Sequence, residues 1–292
     1  MSCTDPPLFP ALQDRIQPDT LVKIGTGTPR FVVGYWSIHG LGAPLRMMLS
    51  ASGVTCYWVA MYDVLEMQDG GDRDEGWNKN SWKKDKVWMT QECNPFMNLP
   101  FLIDVQEQQV LVQTNSLLSY LGRELNMMGS TKLEMAKCEE LLGEIYDVRN
   151  NMVGFAYGDS SGTPEGCLGG AQASLKKLEA HLGRCSAATC LVGNKLSAPD
   201  FHLYEMLFQY DALARHYKLG DVLESYPKLA AYKTSMEGRP ELQSYLNSFL
   251  HKDLPFNNGY ARFGSDPSGN AYQRGQETPW MQKGVVVLER TK

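Results

Sequence analysis

Long apolar runs are missing from this chain. No stretch approaches the roughly 18 consecutive apolar residues of a membrane-spanning helix, so no membrane span is expected. The opening "MSCTDPPLFPALQDRIQPDT" is proline-rich and partly acidic. It lacks the basic flank and apolar segment of a secretory signal, and the Arg-rich, acid-poor texture of a transit peptide. Cysteine is sparse and scattered, with 7 in 292 residues at positions 3, 56, 93, 138, 167, 185 and 190, and no CxxC. An odd number at irregular spacing excludes a disulfide framework, a cysteine zinc site and a thioredoxin-type redox pair. A cytoplasmic, reducing setting is the expectation. The 5 histidines show no ligand spacing and no HExxH, so no metal is expected; His39, His202 and His216 read as structural or surface residues. Positive charge is also in deficit. The net charge is -5, and the densest basic cluster, Lys83-Lys84-Asp85-Lys86, is short and mixed, which argues against a nucleic-acid partner. No internal repeat stands out.

What remains is an ordinary globular composition, 43% hydrophobic and 21% charged, at a length that suits about two domains. "RFVVGYW" from Arg30 reads as a strand. "APLRMMLSASG", Ala43–Gly53, places Leu45, Met48 and Leu49 on one helical face and ends in a plausible C-cap glycine. "TCYWVAMY", Thr55–Tyr62, is β-branched and aromatic, a second strand. Strand, helix, strand at this spacing is a βαβ unit. The stretch 63–97 is polar and glycine-rich, a long loop with one short helix. "NLPFLIDVQEQQVLVQTNSLLSYL", from Asn98, then supplies two short strands joined by a turn, and a helix. The predicted order is βαβ followed by ββα, a thioredoxin-like arrangement without its cysteines.

From about Thr131 four long segments carry helical periodicity. The fold expected is therefore α/β plus all-α. An irregular N-terminal extension over 1–30 precedes a thioredoxin-like domain over 31–127. An all-helical domain over 131–249 follows, and a C-terminal extension over 250–292. "GTGTPRF", Gly25–Phe31, is only a fragment of a phosphate loop, because no helix N-terminus follows to hold an anion.

Three features carry chemistry. Pro100 opens a strand directly after Leu99. It either starts an edge strand or stands in a cis bond that turns the Leu99 backbone outward toward an extended peptide. Gln113-Thr114-Asn115 sits at a helix mouth, where unpaired amides and the dipole favour an anion; Thr114 as a simple N-cap is the alternative. Tyr35, at the end of the first strand, carries a phenol that is a donor at neutral pH. It either packs there or, pointed at a thiol, stabilises the thiolate. In "SAPDFHLYE", Ser197 and Asp200 read as a capping box around Pro199, a folding device.

"GYWSIHGLGAPLRMML", "NLPFLID", "VQTNSLLSYL" and "SAPDFHLYEML" stand in the order and rough spacing of cytosolic glutathione transferases. Over about residues 31–250 the chain resembles the mu class most, with sigma-like touches in "GEIYDVRN". The resemblance implies conjugation of reduced glutathione, a co-substrate rather than a tightly bound cofactor, to a hydrophobic electrophile, with detoxification as the setting. Tyr35 would be the catalytic donor to the glutathione sulfur. Trp36 and Leu41 would line the site. Leu99, before a cis Pro100, would pair its backbone with the cysteinyl unit. Gln113 and Thr114 would hold the γ-glutamyl carboxylate, and Trp82 and Lys86 the glycyl carboxylate, with Trp88 competing for the place of Trp82. Asp147 would reach the neighbouring subunit's site in a homodimer. Tyr157 would face the electrophile or, its spacing being off by one, pack in the core. Thr114 departs from the usual serine, and Ser37 and His39 stand where mu enzymes have Asp and Arg. The competing function is a non-catalytic structural or binding subunit of a larger assembly that keeps the same fold. The C-terminal extension is a possible contact for a protein partner, with Val285–Leu288 adding a strand to its own sheet edge or to a partner's.

Overall fold

The computed structural model describes residues 11–63, 80–159, 161–185, 189–270 and 284–289. In chain order the elements are α1 (Leu12–Arg15), β1 (Thr20–Ile24), β2 (Phe31–Trp36), α2 (Gly42–Ala51), β3 (Tyr57–Tyr62), α3 (Asn80–Glu92), β4 (Phe101–Asp104), β5 (Gln109–Val112), α4 (Thr114–Glu124), α5 (Lys132–Tyr157), α6 (Pro164–Leu182), α7 (Ala198–Tyr217), α8 (Pro227–Glu237), α9 (Pro240–Leu246), α10 (Phe249–Lys252) and β6 (Gly284–Leu288). The β2-α2-β3 and β4-β5-α4 units form the expected thioredoxin-like arrangement, and the long helices α5 to α9 follow it.

The sheet has 6 strands in the order β5-β4-β2-β3-β1-β6. β2 and β3 run parallel, with Phe31 opposite Tyr57 and Tyr35 opposite Met61. β4 runs antiparallel to both β2 and β5. Every residue of β3 is buried, as for a strand covered on both faces. One face packs on α2, α4 and the helical half through Val33, Leu45, Met48, Val59, Leu117 and Tyr204. The other packs on α3 and the N-terminal segment through Ile16, Trp58, Tyr62, Trp82, Met89 and Phe101.

Of the two extensions, the N-terminal one differs from expectation, and the C-terminal one takes the first of its two readings, a strand on the chain's own sheet edge. The N-terminal one, read as irregular, supplies β1, whose burial alternates along its length and which pairs antiparallel with β3. Its Lys23 ammonium lies 4.2 Å from the centroid of the Trp58 ring, a contact that composition alone does not reveal. The C-terminal strand joins the chain's own sheet: β6 runs parallel to β1, Thr20 opposite Gly284 and Ile24 opposite Leu288. The edge that β3 would otherwise expose is thus covered twice.

Most helix starts follow from their residues. Thr131 and Glu134 form a capping box on α5, with the Glu134 amide 3.1 Å from Thr131 Oγ1 and the Thr131 amide 3.2 Å from Glu134 Oε2. At α7 the expected box is present as well: Asp200 Oδ2 accepts the Ser197 amide at 2.8 Å. Asp200 also takes the Leu191 amide at 2.8 Å and the Tyr232 hydroxyl at 3.0 Å, so it ties three segments together. None of the described helices is long and apolar enough to cross a membrane.

Candidate active site

Tyr35 is the last residue but one of β2 and is 6% exposed. The loop that follows folds back on it. A side-chain carbon at Gly40 or Gly42 would come within 2.7 Å of the Tyr35 ring, so glycine at both positions is what lets the loop close; Gly40 also sits at a φ of +38°. The Leu41 backbone hydrogen-bonds the Tyr35 hydroxyl. Burial pushes the Tyr35 pKa up. The Leu41 hydrogen bond and the charges of Arg149 and Arg46 act against it without reversing the shift. The phenol is therefore protonated at neutral pH and available as a donor.

The same loop is anchored from behind. His39 is fully buried, with Nδ1 2.9 Å from Glu205 Oε1 on α7 and Nε2 2.9 Å from the His251 carbonyl on α10. The backbone amides of His39 and Gly40 donate to the carbonyls of Pro255 (2.7 Å) and Phe256 (3.0 Å). Arg46, also fully buried, donates to the Ile38 carbonyl at 2.7 Å. His39, Glu205 and His251 bring possible ligand atoms within 4.8 Å of one another. Both His39 nitrogens already face oxygen partners, Glu205 and the His251 carbonyl.

Beyond the Tyr35 ring lies a cavity of ≈ 30 Å³ lined by Tyr35, Ile38, Arg149, Met206, Tyr157 and Asn257, among others. Tyr157 is the last residue of α5. Its ring is 37% exposed and its hydroxyl accepts the Asn258 amide at 2.9 Å. It therefore faces the same cavity as Tyr35 and does not pack in the core.

On the far side of β2, the Leu99–Pro100 bond is cis. Pro100 does not start an edge strand, because β4 lies between β5 and β2; Leu99 is half-buried just before it. At the mouth of α4 the N-cap position belongs to Gln113, which makes no side-chain cap bond. Thr114, read as a possible N-cap, is instead the first helical residue and is 5% exposed. Gln113 holds φ 74°, ψ 112°, a region unfavourable for a non-glycine residue and often kept at functional positions. Its side chain is exposed. The first amides of α4 thus lack a side-chain partner from the cap position.

Trp36 is half-buried and meets Trp82 edge-on, ring centroids 6.3 Å apart. Trp82 stacks on Phe101 at 6.1 Å and is 5% exposed. Lys86 lies four residues further along α3 and is exposed. Trp88 is engaged elsewhere: its indole N–H donates to Asp85 Oδ1 at 3.2 Å and the Arg15 guanidinium covers its ring at 3.9 Å. Asp147 is exposed on α5. Tyr35, Trp36, Leu41 and Tyr157 are thus gathered around one loop and cavity. Leu99, Gln113 and Thr114 stand at the ends of β4 and β5, and Asp147 faces solvent. Sequence reasoning missed Arg149, Asn257 and the His39–Glu205 pair. The sequence hinted only at Arg149 and Glu205, charged residues within the helical segments α5 and α7; Asn257, in irregular chain beyond α10, carried no such signal.

Comparison with known proteins places these features in context. A family model described as "Glutathione S-transferase, C-terminal domain" matches residues 146–249. The class-mu 26 kDa glutathione S-transferase isozyme of Schistosoma mansoni is 31% identical over 237 residues, covering 81% of this chain and 96% of its own. Human glutathione S-transferase Mu 3 is 27% identical over 240 residues, covering 81% and 96%. Among solved structures, the crystal structure of the glutathione S-transferase Blo t 8 superposes with a TM-score of 0.61 at 25% identity, covering 80% of this chain and 99% of that one. The pi-class enzyme of Onchocerca volvulus gives 0.62 at 21%, a likeness of fold.

Proposed function

Given that this chain belongs to the cytosolic glutathione S-transferase superfamily, we propose that it conjugates reduced glutathione to an electrophilic small molecule, with Tyr35 as the donor that stabilises the thiolate. The observation that carries this reading is the Tyr35 hydroxyl itself: buried at the end of β2, hydrogen-bonded by the Leu41 backbone and kept protonated by burial. A protonated phenol lowers the pKa of a thiol it donates to, from the ordinary value of about 8.5. The thiolate then attacks the electrophile, the leaving group departs with its electron pair, and the thiol proton passes to solvent. Catalysis is by positioning and electrostatic stabilisation.

The peptide is held by the features around this hydroxyl. The backbone of Leu99 pairs with the cysteinyl unit, outward of the cis Pro100. Gln113 and Thr114, with the unpaired first amides of α4, take the γ-glutamyl carboxylate. Trp36 and Leu41 line the site. Trp82, beside Trp36, and Lys86 take the glycyl carboxylate; Trp88, already committed to Asp85 and Arg15, does not. Tyr157 faces the electrophile. Asp147, exposed on α5, reaches the γ-glutamyl amine of a second copy in a two-fold homodimer with equivalent sites. The class is mu, in keeping with the names of the relatives above, and the setting is the cytoplasm.

A second reading, a glutathione-transferase fold kept as a non-catalytic subunit, is favoured by one observation: the cavity lined by Tyr35 and Tyr157 measures only ≈ 30 Å³. Glutathione affinity measured by calorimetry, together with turnover of iodomethane, separates the two. Binding with turnover supports the enzyme; binding without any turnover supports the subunit.

A further inference from the structure

β6 is the last strand of the sheet, and its outer edge is open. The Gly284 amide donates to the Asp19 carbonyl at 2.8 Å, and the Leu288 carbonyl accepts the Gly25 amide at 3.2 Å. Backbone groups alternate sides along a strand, so Gly284, Val286 and Leu288 turn theirs toward β1. Val285 and Val287 turn theirs away from it, and no described strand lies beyond them. Among the described elements β1 alone packs extensively against β6. Natural sheets blunt such an edge with charge, proline or a bulge, because unpaired backbone groups template another strand. β6 uses none of these: it reads Gly-Val-Val-Val-Leu, in unbroken register with β1. Its side chains add to the effect. Val285 and Val287 are 63% and 65% exposed, whereas Val110 and Val112 of β5, at the opposite edge, are 3% and 7% exposed. One edge hides its valines and the other presents them.

We infer that β6 pairs antiparallel with the β6 of a second copy of this chain, about a two-fold axis at Val286, and so joins two sheets into one. In that register Val285 stands opposite the partner's Val287, and each such pair exchanges both of its N–H···O bonds. The exposed valines of both copies then meet on one face, the cross-strand contact that stabilises a sheet. The axis makes the contact isologous, and the sequence suits it. "KGVVVLE", over 283–289, has a positive residue at one end and a negative one at the other, a pattern complementary to itself when two copies run in opposite directions. The area is modest. Two valines and a short backbone edge per copy fall well below the about 1,000 Å² of a stable interface, so the pairing is weak and fills only at high concentration. It rests on the sheet alone and is independent of the glutathione-transfer reading.

The test is sedimentation of the full chain at about 5 and about 200 µM, because a weak contact fills by mass action. The weight-average mass is expected to rise about twofold across that range, above any dimer that another face forms at the lower concentration. Val287→Pro removes an outward donor and no bond to β1, a place where an edge strand tolerates proline. Val285→Lys combined with Val287→Lys sets like charges opposite one another. Both variants are expected to melt within a few degrees of the native chain and to show no rise in mass. Cysteine reads the register. Val286→Cys lies on the axis beside its own copy, whereas Val287→Cys faces Val285 and is too far from its own copy to bridge. Oxidation is expected to link the first into dimers at least about fivefold more than the second, over the native background. A native mass that stays flat overturns the inference, whatever else binds this edge. So does a rise that both variants leave intact, and so does equal cross-linking of the two cysteine variants.

Discussion

His39 and Glu205 form an ion pair at 2.9 Å with side chains 1% and 0% exposed. The His39 ring faces a carboxylate from one nitrogen and a backbone carbonyl from the other. Burial pulls the Glu205 carboxyl up, but the charge and hydrogen bond of His39, with help from Gln209, hold it below its ordinary value. The pair ties the loop after Tyr35 to α7 and, through His251, to the start of the C-terminal segment. Removing one partner of a buried pair leaves an uncompensated charge, at a cost of about 3–5 kcal/mol. Glu205→Gln and His39→Gln are each expected to lose stability on that scale in urea denaturation. A loss below about 1 kcal/mol for both would mean that the pair holds nothing in place.

Acid should unfold this protein earlier than its carboxylates alone suggest. His202 is fully buried, and neither of its nitrogens has a hydrogen-bond partner among the described residues. Burial lowers its pKa to about 4, with the Arg149 charge adding to the effect. His251 is likewise lowered to about 4, by burial first and then by the charge of His39. In the unfolded chain a histidine takes up its proton near pH 6.5; in the folded chain these two resist until about pH 4. Between those values the unfolded state binds more protons, so stability falls as the pH drops from 6.5 to 4. For His202 the full effect at the acid end is on the order of 3 kcal/mol. Denaturation midpoints across this window should decline, and His202→Leu should flatten the slope. An unchanged slope in that variant would place the acid sensitivity elsewhere.

Tyr35→Phe keeps the ring that Gly40 and Gly42 pack against and removes only the hydroxyl. Folding should change by less than about 1 kcal/mol, within the range of a volume-conserving swap. Turnover should fall by roughly 10²–10³, the usual cost of one oxyanion-type donor, with glutathione affinity little altered. Titration of the bound thiol should show its pKa rising toward the free value. Kinetics equal to the native protein's would remove Tyr35 from the chemistry.

Asp147→Ala offers a test of assembly, because the residue is exposed and its removal disturbs no packing. If it serves a neighbouring subunit's site, the variant binds glutathione more weakly, by tenfold or so, while sedimentation still shows a dimer. A native chain that sediments as a monomer at micromolar concentration would leave Asp147 without that role.

The thioredoxin-like half was legible because its signals are local. "TCYWVAMY" is a continuous apolar run, and β3 is buried along its whole length. The helix N-termini at Thr131 and Ser197 follow from short-range hydrogen bonds within four residues. β1 was not legible: Thr20–Ile24 is short, and only its pairing with β3 and the later β6 makes it a strand. The contact between the C-terminal segment and the end of α5 was hidden for the same reason. Asn258 and Tyr157 are 101 positions apart, and His39 and Glu205 166, distances over which no periodicity or spacing in one sequence speaks. Thr114 shows a subtler limit. A hydroxyl residue at a helix start suggests an N-cap, but the backbone of Gln113 takes that position by adopting a positive φ.

The C-terminal extension divides into parts of unequal weight, and two truncations should tell them apart. A cut after Phe249 removes Leu250, Leu254, Phe256 and Phe263, whose exposures are 2%, 2%, 5% and 0%. Each such side chain contributes about 1.5–3 kcal/mol by burial, so their joint loss is comparable with the about 5–15 kcal/mol that holds a whole domain together. It also strips the His251 carbonyl from His39. The part of the extension over 250–263 is thus built into the core, and this cut should abolish cooperative folding and glutathione binding together. A cut after Asn270 keeps that turn, including the bonds from Ser265 to the Asn270 carbonyl and from Gly264 to the Gly269 carbonyl, and loses β6. In β6, Val285 and Val287 are 63% and 65% exposed, so the strand brings little apolar burial. Its loss should lower the melting temperature by a few degrees and leave glutathione affinity within about twofold, since β6 pairs with β1 at the sheet edge away from β4 and β5. Circular dichroism melts and calorimetry on both truncations decide the matter. A chain ending at Phe249 that still melts cooperatively near the native temperature would show that the segment rests on the surface and does not belong to the core.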